Sequence, residues 1–416
     1  MVRVLTVLTI VLVHSISFAQ TVAVSSKTLR SLVESRNERV KAKEYEHQSA
    51  KLKEGSLARS YLPTLELYAA QESFTKGSED LKTQPTYGAE FNLNLYNRGQ
   101  DKLSERKNVL TAERKSFEKA VTLSEQLSEA QGIYWEILYL RDYLALVKQS
   151  QQVNANNLKS AIRRIQSGVA TETDRIEFEM RDIELKQIVA ELELKQKTQI
   201  NLLKLFLGYE EDTQLQFAET LEHDHEWQGL VQHSEKDHDF LIKPVELLSE
   251  ELKIESKSYQ RYFLPKIDVF AAYNQYNQRE EDPAAEAERK ETVIGLRLTM
   301  NLFDGFKSQQ ESSSLNAQAQ AADMEARYKK RELDLHLHAE MEELNSLHSQ
   351  VHDAEKNIQH SERYFKLTQS EYARGVKNSP DMLSASEKLF ATQVKMIEII
   401  KKFQTSKSHL LAKLGK

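Results

Sequence analysis

No cysteine occurs in the 416 residues, so neither a disulfide nor a lipid on an N-terminal cysteine can hold this chain, and packing must do so alone. Twelve glycines and six prolines are all that interrupt it, few for a protein of short elements joined by tight turns. Beyond residue 20 no apolar stretch approaches the roughly 20 residues of a transmembrane helix. If the mature chain crosses a membrane, it must do so in a closed β-barrel. The net charge of −6 comes with no basic stripe, which argues against nucleic acid as a partner. A Gly-rich phosphate loop, a Walker motif, a nucleophile elbow and a zincin motif are all missing. Nothing here points to an enzyme or to a cofactor.

What is present begins with an export signal. Met1, Val2 and Arg3 form a short basic start, and Val4 to Val13 an apolar run too short to span a bilayer. Ser17-Phe18-Ala19 sets small residues where signal peptidase needs them, so residues 1–19 are expected to be a signal peptide. The remainder combines 40% apolar with 29% charged residues, in long stretches rich in Ala, Glu, Lys, Leu, Gln and Ser. That composition belongs to long helices or coiled coils.

The chain also repeats itself. Arg59-Ser60-Tyr61-Leu62-Pro63-Thr64-Leu65 recurs as Arg261-Tyr262-Phe263-Leu264-Pro265-Lys266-Ile267, and Leu95-Tyr96-Asn97 as Leu302-Phe303-Asp304. Ser167-Gly168-Val169, followed by Asp174, recurs as Arg374-Gly375-Val376, followed by Asp381. Three landmarks in one order, about 205 residues apart, indicate tandem duplication. The halves are expected at about 20–207 and 227–416, joined by an irregular connector at 208–226. Each half reads as helix, two strands, very long helix, tight turn, helix.

The strands are legible from period-two alternation. In 86–96, Tyr87, Ala89, Phe91, Leu93 and Leu95 oppose Gly88, Glu90, Asn92 and Asn94; 292–302 alternate likewise, with weaker partners at 64–74 and 266–276. The loops at 76–85 and 277–289 are polar and charged. Tyr61, Phe74, Tyr96, Tyr262, Phe263, Tyr276 and Phe303 fall near strand ends, where interfacial aromatic girdles belong. Four strands are fewer than the smallest membrane barrel needs, so the missing ones must come from other copies of the chain. Two copies give eight strands, an interior that side chains fill; three give twelve and a lumen.

Helices are expected at about 100–167 and 306–374, each roughly 100 Å long. Leu123, Leu127, Ala130, Tyr134, Ile137 and Leu144 form one apolar seam; Leu344, Leu347, Val351, Ala354 and Ile358 form another. Gly168-Val169-Ala170-Thr171 and Gly375-Val376-Lys377-Asn378 supply a glycine to end each long helix and a polar residue to begin the next. Asp174 and Asp381 then fall in a first helical turn, where the dipole favours them. His223, His225, His233 and His238 crowd the connector. His348 and His352 stand one helical turn apart and could share a metal, but no third ligand has a convincing spacing, and exposed histidines are the simpler reading.

Taken together, the duplicated Leu-Pro before strands, the Leu-Tyr-Asn and Leu-Phe-Asp-Gly after them, and the paired Gly-Val turns resemble the TolC family of outer-membrane factors over essentially the whole mature chain. The resemblance implies a mainly α fold with a small β part. It implies a homotrimer with a 12-stranded outer-membrane β-barrel, four strands per chain, continued by a long α-helical barrel into the periplasm of a Gram-negative bacterium. It implies a passive exit duct for a tripartite efflux pump or a type I secretion system, partnered by outer-membrane lipid, a periplasmic adaptor and an inner-membrane transporter of RND, ABC or MFS type. The adaptor would dock on Gly168, Val169, Ala170, Thr171, Gly375, Val376, Lys377 and Asn378. Asp381, with Asp174 as the weaker match, would form the periplasmic constriction; Ser384 stands where a second acid is common. A periplasmic coiled-coil scaffold or adaptor is the alternative.

Overall fold

A computed structural model describes residues 21–74, 82–231, 239–277 and 288–416. The expected signal peptide, His233, His238 and the centres of both polar loops lie outside the described residues, as do the side chains of Phe74 and Tyr276.

Strand β1 (Thr21–Val24) leads into helices α1 (Ser26–Arg36) and α2 (Glu38–Lys51), and a short α3 (Ser56–Ser60) brings the chain to a hairpin of β2 (Thr64–Phe74) and β3 (Lys82–Asn97). Next come α4 (Gln100–Gln166), α5 (Glu172–Phe206), β4 (Gln214–Phe217) and α6 (Trp227–Val231). The second hairpin follows α7 (Lys243–Gln260) and consists of β5 (Lys266–Asn277) and β6 (Glu288–Thr299); α8 (Lys307–Ala373) and α9 (Ser379–Lys413) complete the chain. Helices α4 and α8 are 67 residues each, about 100 Å at 1.5 Å per residue.

Four strands form one antiparallel sheet in the order β2-β3-β5-β6. The register carries most of the apolar residues of all four onto one face: Leu65, Phe91, Ala271 and Ile294 stand in one row, and Leu67, Ala89 and Tyr273 in the next. That face is open; Leu67 is 80% and Ile294 77% exposed. On the other face the Phe270 ring lies over Gly295, where an added Cβ would come within 2.8 Å of it, and the Arg297 guanidinium covers the ring at 4.4 Å. Two strands differ clearly from the expected ranges. β3 begins earlier, at Lys82, and β6 covers 288–299 instead of 292–302. Thr299 pairs with Lys266; Pro265, next along, has no N–H to extend the ladder, so Met300 and Leu302 fall outside the sheet and are exposed.

The helices form a single curved layer. Near the turns α4 is flanked by α5 and α9, with α8 beyond α9; near the sheet it is flanked by α2 and α7, with α8 beyond α7. Cross-links between neighbours are specific: Trp135 Nε1 donates to Ser408 Oγ at 2.8 Å, Ser124 Oγ to the Ala412 carbonyl at 2.7 Å, and Arg114 Nε to Glu251 Oε1 at 2.7 Å. The core sits at mid-height, where Leu29, Tyr134, Leu203, Trp227 and Phe403 are buried together. Most of both expected seams is inside: Leu123, Leu127, Ala130, Tyr134 and Ile137 on α4, and Leu344, Leu347, Val351 and Ala354 on α8 are buried, while Leu144 and Ile358 are half-buried.

The connector is not irregular throughout, as the sequence suggested. β4 lies within it and pairs in parallel with β1, Val22 opposite Leu215 and Val24 opposite Phe217. A strand of four residues has only two inward positions, too few for alternation to register in the sequence.

Candidate functional site

Both turns that the sequence singled out close the long helices in the same way. At the end of α4, Gly168 N–H donates to the Ile165 carbonyl and Val169 N–H to that of Arg164, both at 2.9 Å. After α8, Gly375 N–H donates to the Tyr372 carbonyl at 3.0 Å and Val376 N–H to that of Glu371 at 2.9 Å. This double bond pattern is the Schellman motif, which needs a left-handed residue between its two donors. Gly168 at φ +73° and Gly375 at φ +81° provide it. The next residue in each case is a valine with nothing over it: Val169 is 62% and Val376 70% exposed. Ala170 is half-buried and Thr171 exposed; Lys377 is half-buried and Asn378 exposed.

The two acids complete capping boxes, bonding back to the N-cap residues Thr171 and Asn378. Thr171 N–H and Thr171 Oγ1 both donate to Asp174 Oδ2, at 2.7 and 2.9 Å. Asp381 N–H donates to Asn378 Oδ1 at 3.0 Å, and Asn378 N–H to Asp381 Oδ2 at 3.4 Å. Burial works to raise the Asp174 pKa, but hydrogen bonds from Thr171 and Ser379 prevail and hold it below the usual carboxylate range. Asp381 also pairs with Lys377, at 3.8 Å, within the same turn.

The turns are joined to each other as well. Arg164 Nη1 donates to the Tyr372 carbonyl at 2.7 Å, its guanidinium lies 4.4 Å over the Tyr372 ring, and the Tyr372 hydroxyl meets Ser379 Oγ at 3.2 Å. One arginine of α4 thus holds the end of α8. A charge-assisted hydrogen bond of this kind contributes about 1.5–3 kcal/mol. Replacing Arg164 by Ala is expected to speed amide exchange at Val376 and Lys377 about tenfold or more, with exchange at the α4 core residue Tyr134 unchanged.

A second cluster was only half legible in the sequence. His223 and His225 of the connector come to His348 and His352 on α8, with His223 Nε2 2.8 Å from His348 Nδ1. The His225 and His352 rings stack with centroids 5.8 Å apart. Desolvation, with the neighbouring imidazoles adding to it, lowers the His223 pKa to about 4. The i, i+4 spacing of His348 and His352 marked half of this cluster, but the other half arrives across 125 residues of chain, and no local spacing announces it.

Among known proteins, residues 255–416 match the outer membrane efflux protein family. This stretch runs from the last turns of α7 through the second hairpin, α8 and α9. A comparison with curated proteins finds no match. The chain is similar over 94% of its length to three solved structures. They are the outer membrane protein VceC of Vibrio cholerae (TM-score 0.78, 14% identity, 96% of that chain), the CmeC outer membrane channel of Campylobacter jejuni (0.76, 13%, 85%) and the open state of the MtrE outer membrane channel of Neisseria gonorrhoeae (0.75, 12%, 88%). At such identities the likeness is one of fold.

Proposed function

We propose, from the premise that residues 255–416 belong to the outer membrane efflux protein family and that the chain has the TolC-like fold, that it is one third of an outer-membrane exit duct. The observation that carries this reading is an open wall at every level. The sheet ends at β2 and β6, the helical layer at α2 and α8 above and at α5 and α8 below. These edge helices display large apolar side chains: Tyr45 on α2 and Leu52 just after it, Met180 and Ile183 on α5, Tyr328 and Leu335 on α8, all exposed.

An open wall with apolar edges closes by repeating itself around an axis. Three copies bring twelve strands, the number that leaves a lumen where eight would be filled. The apolar sheet face then meets lipid and the polar face lines the pore. Tyr61, Tyr96, Phe263 and Phe303 stand exposed at the helix-side end of the sheet, the level of an interfacial girdle. The helices continue the pore about 100 Å into the periplasm. There the turns Gly168–Thr171 and Gly375–Asn378 receive a periplasmic adaptor, and an inner-membrane transporter of RND, ABC or MFS type supplies the energy. Asp381, three-fold repeated, lines the constriction at that end while capping α9; Asp174 caps α5 beside it. The two tandem repeats and connector 208–226 give the near-symmetry that lets one chain provide two similar staves of the wall.

A periplasmic scaffold or adaptor has no use for a four-stranded sheet whose apolar face is bare. Alkaline carbonate extraction of membranes separates the two readings. The chain is expected to stay in the pellet and to run as a trimer in mild detergent; recovery as a soluble monomer overturns the duct.

A further inference from the structure

Four histidines from two distant segments gather with their rings next to one another. Their ring centroids stand at 4.7 Å (His223–His225), 4.9 Å (His223–His348), 4.9 Å (His348–His352), 5.8 Å (His225–His352), 6.3 Å (His223–His352) and 6.4 Å (His225–His348). An ion held tetrahedrally by four imidazole nitrogens at about 2.0–2.1 Å sets neighbouring centroids about 5 Å apart. Cores and surfaces rarely bring four imidazoles into mutual contact, because any charge one of them takes up repels the rest.

Two details favour a ligand over simple packing. His223 Nε2 and His348 Nδ1 already point at each other from 2.8 Å; opening that gap to about 3.3 Å admits an ion between them. His352 Nδ1 faces Glu355 Oε2 at 3.3 Å, the carboxylate contact that orients a ligating imidazole and leaves its Nε2 free.

The frame around the cluster is built. The Phe403 ring packs edge-on against His223 at 4.4 Å, and Lys407 of α9 holds Asp224, between the two connector histidines, at 3.0 Å. His223 and His348 are half-buried, while His225 and His352 are exposed and leave a way in from solvent. Among the described residues no three such side chains are placed to hold a metal ion as they stand. Convergence needs ring rotation about χ2, a torsion with a broad and shallow profile in histidine.

We propose that His223, His225, His348 and His352 bind one borderline divalent transition-metal ion, zinc, nickel or copper(II), and so tie the connector between the repeats to α8. All-nitrogen coordination suits these ions, and a chain without cysteine has no thiolate to offer in its place.

The test uses the full mature chain without a histidine tag, purified in detergent, stripped with chelator and titrated calorimetrically with zinc. About one ion per chain is expected, with a rise in melting temperature of several degrees. H223A/H348A should weaken binding at least about tenfold, and so should H225Q/H352Q, which alters only the exposed pair and leaves the packed side intact. H336A/H338A, removing two exposed histidines of the same helix outside the cluster, should bind as the parent does. Absence of binding at micromolar zinc, or equal losses in the cluster and control variants, overturns the site.

Discussion

Aspartate at Met180 and Ile183 of α5 should leave the chain folded and abolish its trimer. Both side chains are exposed within one chain, so the substitutions alter the folded monomer by about 0.5 kcal/mol or less each. In the proposed ring the same positions would face the neighbouring copy. Each replacement there forfeits about 1.5–3 kcal/mol of apolar burial and buries a carboxylate with no cation provided for it, at a further cost of several kcal/mol. Two positions at each of three interfaces multiply the effect, since a ring closes only when all its interfaces form. Light scattering in mild detergent is expected to report monomer in place of trimer, with helix content unchanged by circular dichroism. L335D on α8, the opposite edge, should do the same. A trimer that survives both changes would contradict the open-wall reading.

Removing residues 169–171 and 376–378 together is the second large effect expected: export falls to that of a null strain while trimers remain in the outer membrane. The physical basis is the isolation of the turns. Val169 and Val376 are held out by Schellman bonds and lie mostly exposed, away from the core. Their loss therefore removes a display surface without opening a core, and the mid-height core about 50 Å away keeps its packing. The milder V169E/V376E preserves the backbone and should weaken export in the same direction, because it places charge where an apolar partner docks. Tolerance of a toxic substrate, set against trimer abundance in membranes, separates lost docking from lost assembly. Full tolerance in the deletion strain would refute the docking assignment.

The capping boxes bear on the acidic pair. Asp174 and Asp381 each answer a local demand of a helix start, which by itself explains an acid at that position. For Asp381 the cap and the pore lining are compatible, since one carboxylate oxygen bonds Asn378 and the other faces Lys377. Lys377 partly offsets the repulsion that three like charges around an axis would otherwise generate.

Much of this architecture was written in local pattern. Period-two alternation marked all four strands, because a sheet with one face in an apolar phase must alternate along every strand. Steps of three and four, unbroken by proline, marked helices of about 100 Å, and a glycine with a polar residue after it marked each turn. These features depend on neighbours within a few residues and could be read from the sequence alone. Other features depend on which distant segments meet. The order that sets β3 beside β5, the pairing of β4 with β1, the Arg164 bond to the second turn and the gathering of four histidines each join residues far apart in the chain. Such contacts follow from how packed helices position their side chains in space, a consequence of the whole wall that no local stretch encodes.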